Sequence, residues 1–405
     1  MIRSMSRRVP RRAEDREQRP ARAQSSRPGT GRAYLRPIRD ASAPRGSTFV
    51  AALCGVLLSA GVAQPSPAAL PDAATVPWSA PTPPPKASEL TFTSGEARLS
   101  GTLYLPASRG PRPVVVVYHS ASDALRDATL YRHLIAMLPP LGIGVFVFDR
   151  RGSGRSSGPA PDGSFEVLAD DGIAARRMLE GVAGVDRRRI GYWGLSQGGW
   201  LAALAARRDP DCAFSISISA PMVTADVQML FATGNVLRIR GYGQEAIDTA
   251  LDARRGVDNF MRGLTSREDA QKRLDRAAAQ PWFDQIYMSR TFHDPSVSGW
   301  AREMRNDPLA VVTAIRKPTL ILYGATDPWV PVATSLERLA PVVRSHRNLT
   351  LHVIAGADHA MMTSATPRSQ VDPVATARQA PEAPEYFGVM IAWLARQGLL
   401  DAERR

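Results

Sequence analysis

A chain of 405 residues that is 44% apolar and 22% charged has the balance of an ordinary globular protein and can bury a large core. Its net charge of +13 would suit a nucleic-acid binder, but residues 1–50 hold 13 Arg against four acidic residues, Glu14, Asp15, Glu17 and Asp40. Most of the excess therefore sits in an Arg-, Pro- and Ser-rich leader that cannot bury a core, and no nucleic-acid partner is expected for the remainder.

The leader is read as residues 1–46, disordered. Residues 47–63, "STFVAALCGVLLSAGVA", follow. Their apolar run is short for a membrane span but right for the core of a signal peptide, with Gly61 and Ala63 as the small residues before a cleavage point. The leader ahead of this run is long, so either translation starts downstream of Met1 or the n-region is unusually extended. Export to the periplasm or the medium is expected, with an N-terminal membrane anchor as the alternative if the segment stays uncleaved. Cleavage would leave Cys212 as the sole cysteine, and no internal disulfide could then form. Residues 64–88 are rich in Pro and Ala and read as a stiff linker.

From residue 89 the pattern turns regular. "ELTFTSGEARLSGTLYLP" alternates as two strands around a turn at Ser94-Gly95. "PVVVVYH" (113–119) and "GIGVFVFDR" (142–150) are continuous apolar runs, as expected of strands buried on both faces. Helical spacing intervenes around 126–138 and returns at 164–182. "RRIGYWGL", a helix after Ser196, and "AFSISISA" (213–220) come next. "PTLILYG" (318–324), "LTLHVIAG" (349–356) and a closing helix "EYFGVMIAWLARQGLL" end the pattern. Strands alternating with helices imply a mostly parallel, doubly wound α/β sheet, whose ligands bind at the carboxyl ends of the strands. No strand is evident between Ala220 and Lys317. Helical spacing there puts Ile247, Leu251, Val257, Phe260, Met261 and Leu264 on one face, and "TSRE" (265–268) has the spacing of a capping box. We read 221–306 as a helical cap inserted between two segments, 89–220 and 307–400, of one sheet domain.

Ser196 lies in "GLSQGG", between a strand and a helix, with Gly194 and Gly198 two residues away on either side. A serine that merely caps a helix needs neither glycine. A nucleophile on a sharp strand-to-helix turn needs both, because the neighbouring backbone passes close by. A serine hydroxyl needs a base, itself oriented by a third group. Of six histidines, His359 in "GADH" stands just past a strand's carboxyl end. The carboxylate expected to orient it is Asp327 in "LILYGATDPWVP", with Asp358 as the rival.

The order Ser196, Asp327, His359, together with "GLSQGG", "FDRRGSGRSSG" (148–158), "LILYGATDPWVP" and "GADH", resembles the α/β-hydrolase superfamily over residues 90–398. The likeness is to its bacterial esterase, prolyl-oligopeptidase-like and dienelactone-hydrolase-like branches. It implies an α/β-hydrolase fold and a serine hydrolase that cleaves carboxylic ester or related acyl bonds through an acyl-enzyme, without metal or cofactor. It also implies an oxyanion hole, with one donor from the N–H of Gln197 and the other from the loop after "VVVVYH". That loop reads His-Gly-x-Gly in such proteins. Here Ser120 and Ser122 take the glycine positions, and Ala121 becomes the second donor. Arg150 and Arg151 are read as part of a structural turn. Phe231, Trp282 and Trp329 are candidates to line a pocket for a small-molecule acyl substrate. A peptidase, an acyltransferase, and a binding protein on a catalytically dead hydrolase fold are the alternatives.

Overall fold

The computed structural model describes residues 84–159, 164–376 and 380–400. The expected leader, the signal or anchor segment and most of the linker lie outside the described residues. The last positions of that linker are already strand, since the sheet begins at Lys86. Among the described residues, no helix is long and apolar enough to cross a membrane.

Eight strands form one sheet: β1 (Lys86–Ser94), β2 (Ala97–Leu105), β3 (Arg112–Tyr118), β4 (Gly144–Phe148), β5 (Val185–Leu195), β6 (Ser215–Ile218), β7 (Thr319–Gly324) and β8 (Leu349–Ile354), in the spatial order β1-β2-β4-β3-β5-β6-β7-β8. The first two make an antiparallel hairpin closing at Ser94↔Ala97, and β2 also runs antiparallel to β4. All later pairings are parallel. The β-branched run of β3 shows why the sheet must be covered on both sides. Val114, Val116 and Tyr118 enter one apolar core, while Val115 and Val117 enter another. Alternate side chains of a strand point to opposite faces, so a run apolar throughout has no face left for water.

The first helices are α1 (Arg132–Met137), α2 (Phe165–Leu179) and α3 (Gln197–Arg208). Between β6 and β7 come α4 (Ala225–Ile239), α5 (Gln244–Met261), α6 (Arg267–Ala278), α7 (Gly299–Glu303) and α8 (Pro308–Ala314). After β7 come α9 (Val332–Ser345), the short α10 (Pro367–Gln370) and α11 (Pro373–Thr376), and α12 (Pro384–Arg396). Apolar residues of α2, α3, α8 and α9 fill one face of the sheet, and those of α1 and α12 fill the other. Helices α4 to α7 occupy the interval read as a cap, and α5 and α6 build a separate core there with Leu237, Trp282 and Phe283. Two details differ from the sequence reading. Helix α5 ends at Met261 and the chain turns at Gly263 (φ +74°), so Leu264 falls into solvent rather than onto the apolar face. Ser266, not Thr265, caps α6, accepting from the N–H of Asp269 at 3.1 Å.

Candidate active site

Five loops at the carboxyl ends of β3, β4, β5, β7 and β8 converge on one rim of the sheet. At its centre Ser196 joins β5 to α3 with φ 58° and ψ −122°, a left-handed backbone that a non-glycine residue adopts only under strain. It occupies the N-cap position, but its hydroxyl makes no capping hydrogen bond. The turn is held instead by main chain: Ser196 N–H donates to the Ile218 carbonyl at 2.8 Å, and its own carbonyl accepts from Gly199 at 2.9 Å. Both flanking glycines are required by close approach. A Cβ on Gly194 would lie 2.0 Å from the Gly198 oxygen, and one on Gly198 would lie 2.6 Å from the Tyr118 oxygen.

Asp327 follows β7 and His359 follows β8. His359 Nδ1 donates to Asp327 Oδ2 at 2.6 Å. The Asp327 side chain is fully buried and that of His359 is 17% exposed. The second carboxylate oxygen, Oδ1, accepts from the N–H groups of Trp329 at 2.8 Å and Val330 at 3.0 Å. One carboxylate thus orients the ring and shapes its own loop. Asp358 does something else: its Oδ1 accepts from Ala360 and Met362 and pins the loop that carries His359. Burial raises the Asp358 pKa, only partly offset by those hydrogen bonds and by His359. For His359, burial disfavours the cation, yet the charge and hydrogen bond of Asp327, with Asp358 behind, outweigh it and raise the pKa above 6.5. Asp327 engages the Nδ1 side of the ring, and His359 and Ser196 line the same cavity.

The loop after β3 lacks the glycines of the His-Gly-x-Gly pattern and is tied down by side chains instead. Ser120 and Ser122 both donate to Asp123 Oδ2, at 2.6 and 2.7 Å. Tyr131 OH accepts from the Ser120 N–H at 3.0 Å and donates to the Asp123 carbonyl at 2.7 Å. His119 lies buried beneath, bonded through Nε2 to the Phe148 carbonyl. Burial and the charge of Arg150 hold its pKa down at about 3, so its ring is neutral and donates. Ala121 lines the same cavities as Ser196, and Gln197 opens α3 with an N–H that has no intrahelical acceptor.

Two cavities meet at Ser196. One, of about 540 Å³, runs past Met261, Phe292 and Glu303 of the interval between β6 and β7. The other, of about 630 Å³, passes Leu130, Trp329 and His359. Ala121, Ser196, Gln228, Met229 and Tyr287 line both. Trp329 is therefore placed where the sequence reading put it, but two other candidates are not. Phe231, 38% exposed on α4, lines neither cavity, because its face of the helix turns outward. Trp282, 3% exposed, is consumed by the separate core that α5 and α6 build. Sequence reasoning missed Gln228, Tyr287 and Glu303. Tyr287 carries a positive φ of 53° and packs edge-on against Trp329 with ring centroids 5.3 Å apart. Gln228 donates to the Trp329 carbonyl at 2.9 Å, and Asn235 donates to that of Pro328 at 2.9 Å. Helix α4 thereby clamps the loop that carries Asp327. No pattern in the α4 sequence marks either residue as a clamp.

Residues 109–365 match the sequence profile of a family described as serine aminopeptidase, S33. An uncharacterised protein of Mycobacterium tuberculosis, found in two strains, is 36% identical over 120 residues, a match that takes in 29% of this chain. This chain spans about 40% of the length of those curated relatives. Among solved structures, an esterase of Pyrococcus furiosus is similar with a TM-score of 0.50 at 18% identity, over 77% of this chain and 91% of that one; the likeness is one of fold. With the profile running from β3 to the loop after β8, the chain belongs to the serine aminopeptidase S33 family of the α/β-hydrolase superfamily.

Proposed function

We propose that the protein hydrolyses carboxylic esters or related acyl bonds of small molecules through an acyl-enzyme on Ser196. His359 takes the hydroxyl proton as Ser196 attacks the acyl carbonyl, and Asp327 holds the imidazole in the required tautomer. The N–H groups of Gln197 and Ala121 receive the oxyanion. His359 then protonates the leaving group and activates the water that releases the acid. The observation that carries this reading is the Asp327–His359 pair, bonded at 2.6 Å, with His359 facing the cavity that also receives a strained serine whose hydroxyl is not spent on capping. Two cavities meeting at the nucleophile give the acyl group and the leaving group separate rooms, each within the size range of small-molecule sites.

The family's description as an aminopeptidase supports a second reading, cleavage of an amide by the same residues. A chain-length series of p-nitrophenyl esters, run beside aminoacyl p-nitroanilides, separates the two. Ester turnover is expected. Ser196→Ala should lower kcat by about 10⁶-fold and Asp327→Asn by about 10⁴-fold. Ester hydrolysis that persists unchanged in purified Ser196→Ala protein would overturn both readings. Faster turnover of an anilide than of any ester would favour the second.

A further inference from the structure

The two arginines after β4 part company. Arg151 pairs with Asp171 on α2, where it braces the turn. Arg150, 8% exposed, turns back beneath the loop after β3. Its Nη2 donates to the Ser120 carbonyl at 2.5 Å and to the His119 carbonyl at 3.5 Å, and its Nη1 donates to the Ala121 carbonyl at 3.4 Å. The same Nη2 reaches the Gln197 Oε1 at 3.2 Å. One guanidinium therefore touches both segments that carry the oxyanion donors. No ion pair with a carboxylate is found for it among the described residues, and its Nε is buried without a partner. A buried cation without a carboxylate in ion-pair contact is costly to keep; Asp123 and Glu303 offset its burial only from beyond ion-pair distance, and its field is felt in turn at His119 and at Glu303 across the cavity.

The geometry of the peptide gives this contact its consequence. In a trans peptide the C=O of one residue and the N–H of the next point in opposite directions, and no described peptide bond is cis. Pulling the Ser120 carbonyl inward onto Arg150 therefore turns the Ala121 N–H the other way. Ala121 lies on the wall of both cavities beside Ser196.

Resting on the serine-hydrolase reading above, we propose that Arg150 is the positioning residue of the oxyanion hole. It aims the Ala121 N–H into the cavity, steadies Gln197, and places behind both donors a positive charge that no carboxylate contacts directly. It replaces the glycines missing from this loop. Because charge on the substrate oxygen develops only in the transition state, Arg150 acts on kcat rather than on KM.

The test compares Arg150→Met, which removes fork and charge, with Arg150→Lys, which keeps the charge but replaces the planar fork, whose two nitrogens reach Ala121 on one side and Ser120 and Gln197 on the other, with one compact ammonium. The readouts are kcat and KM on p-nitrophenyl butyrate, and Ki for an alkyl trifluoromethyl ketone, which forms a tetrahedral adduct. Arg150→Met should lose about 10²-fold or more in kcat, with KM changed by less than about threefold and Ki weakened in proportion to kcat/KM. Arg150→Lys should fall between Met and wild type, at least about tenfold below wild type. If the Met variant does not fold, the Lys variant alone decides. Wild-type kcat in either folded variant, a change confined to KM, or an unchanged Ki beside a reduced kcat would overturn the proposal. A wild-type protein inert toward both the ester and a fluorophosphonate would instead defeat the serine-hydrolase reading, and this proposal with it.

Discussion

His359 sits between opposing influences. Burial disfavours its cation, while Asp327 and Asp358 favour it and prevail, leaving the folded pKa above the usual 6.5. A general base must be neutral to accept the serine proton, so activity should fall as the pH drops through that raised value. The acid limb of a kcat/KM profile on an uncharged ester is expected above 6.5, and Asp327→Asn should move it down. A wild-type limb below 6.5 would contradict the assignment. The contribution to stability has the matching sign. It is fully present below 6.5, the unfolded value, and is lost as the pH rises through the folded pKa. At this scale the sequence is informative about residue types and poor about which atom meets which. The spacing of "LILYGATDP" and "GADH" exposes Asp327 and His359. That Asp358 binds its own loop, and that Arg150 turns under another, depends on distances that only the fold creates.

The strand–turn–helix of β5, Ser196 and α3 is the element on which the site is built. Its glycines are legible in the sequence, but the reason for Gly198 is not, because its neighbour is the end of β3, 80 residues earlier. A methyl there would meet the Tyr118 oxygen at 2.6 Å and the His119 oxygen at 2.9 Å, which is backbone and cannot swing aside. Gly198→Ala should therefore cost about 1–3 kcal/mol in urea unfolding, and it should lower kcat as well, since the displaced strand end carries the Ala121 loop. An unchanged unfolding midpoint with full activity would show that the turn has slack not evident in its contacts. Helix α4 makes the converse point. Its amphipathic pattern is weak, and its two clamps on the Asp327 loop, Gln228 and Asn235, are polar residues whose partners are main-chain carbonyls about 100 positions away.

Across the whole molecule, the parallel sheet was legible because strands buried on both faces must be apolar throughout, and the chain repeats such runs between helical stretches. The gap in that alternation marked the stretch between β6 and β7 that holds helices α4 to α8. Which of their aromatic residues face substrate was not legible. Phe231, Trp282 and Tyr287 are alike in composition, yet one faces solvent, one a core and one the cavity. The charge of the chain is concentrated ahead of the described residues, and the expectation of export rests on residues 47–63 alone. Acyl transfer by this protein needs one activated hydroxyl at the rim of its sheet. Intact-protein and peptide mass spectrometry after treatment with a fluorophosphonate measures that directly, since an unactivated serine does not react. A single adduct on Ser196, formed by the wild-type protein and strongly slowed by His359→Ala, is the expected result. An unlabelled Ser196 in folded protein, or an adduct on another residue, would contradict it.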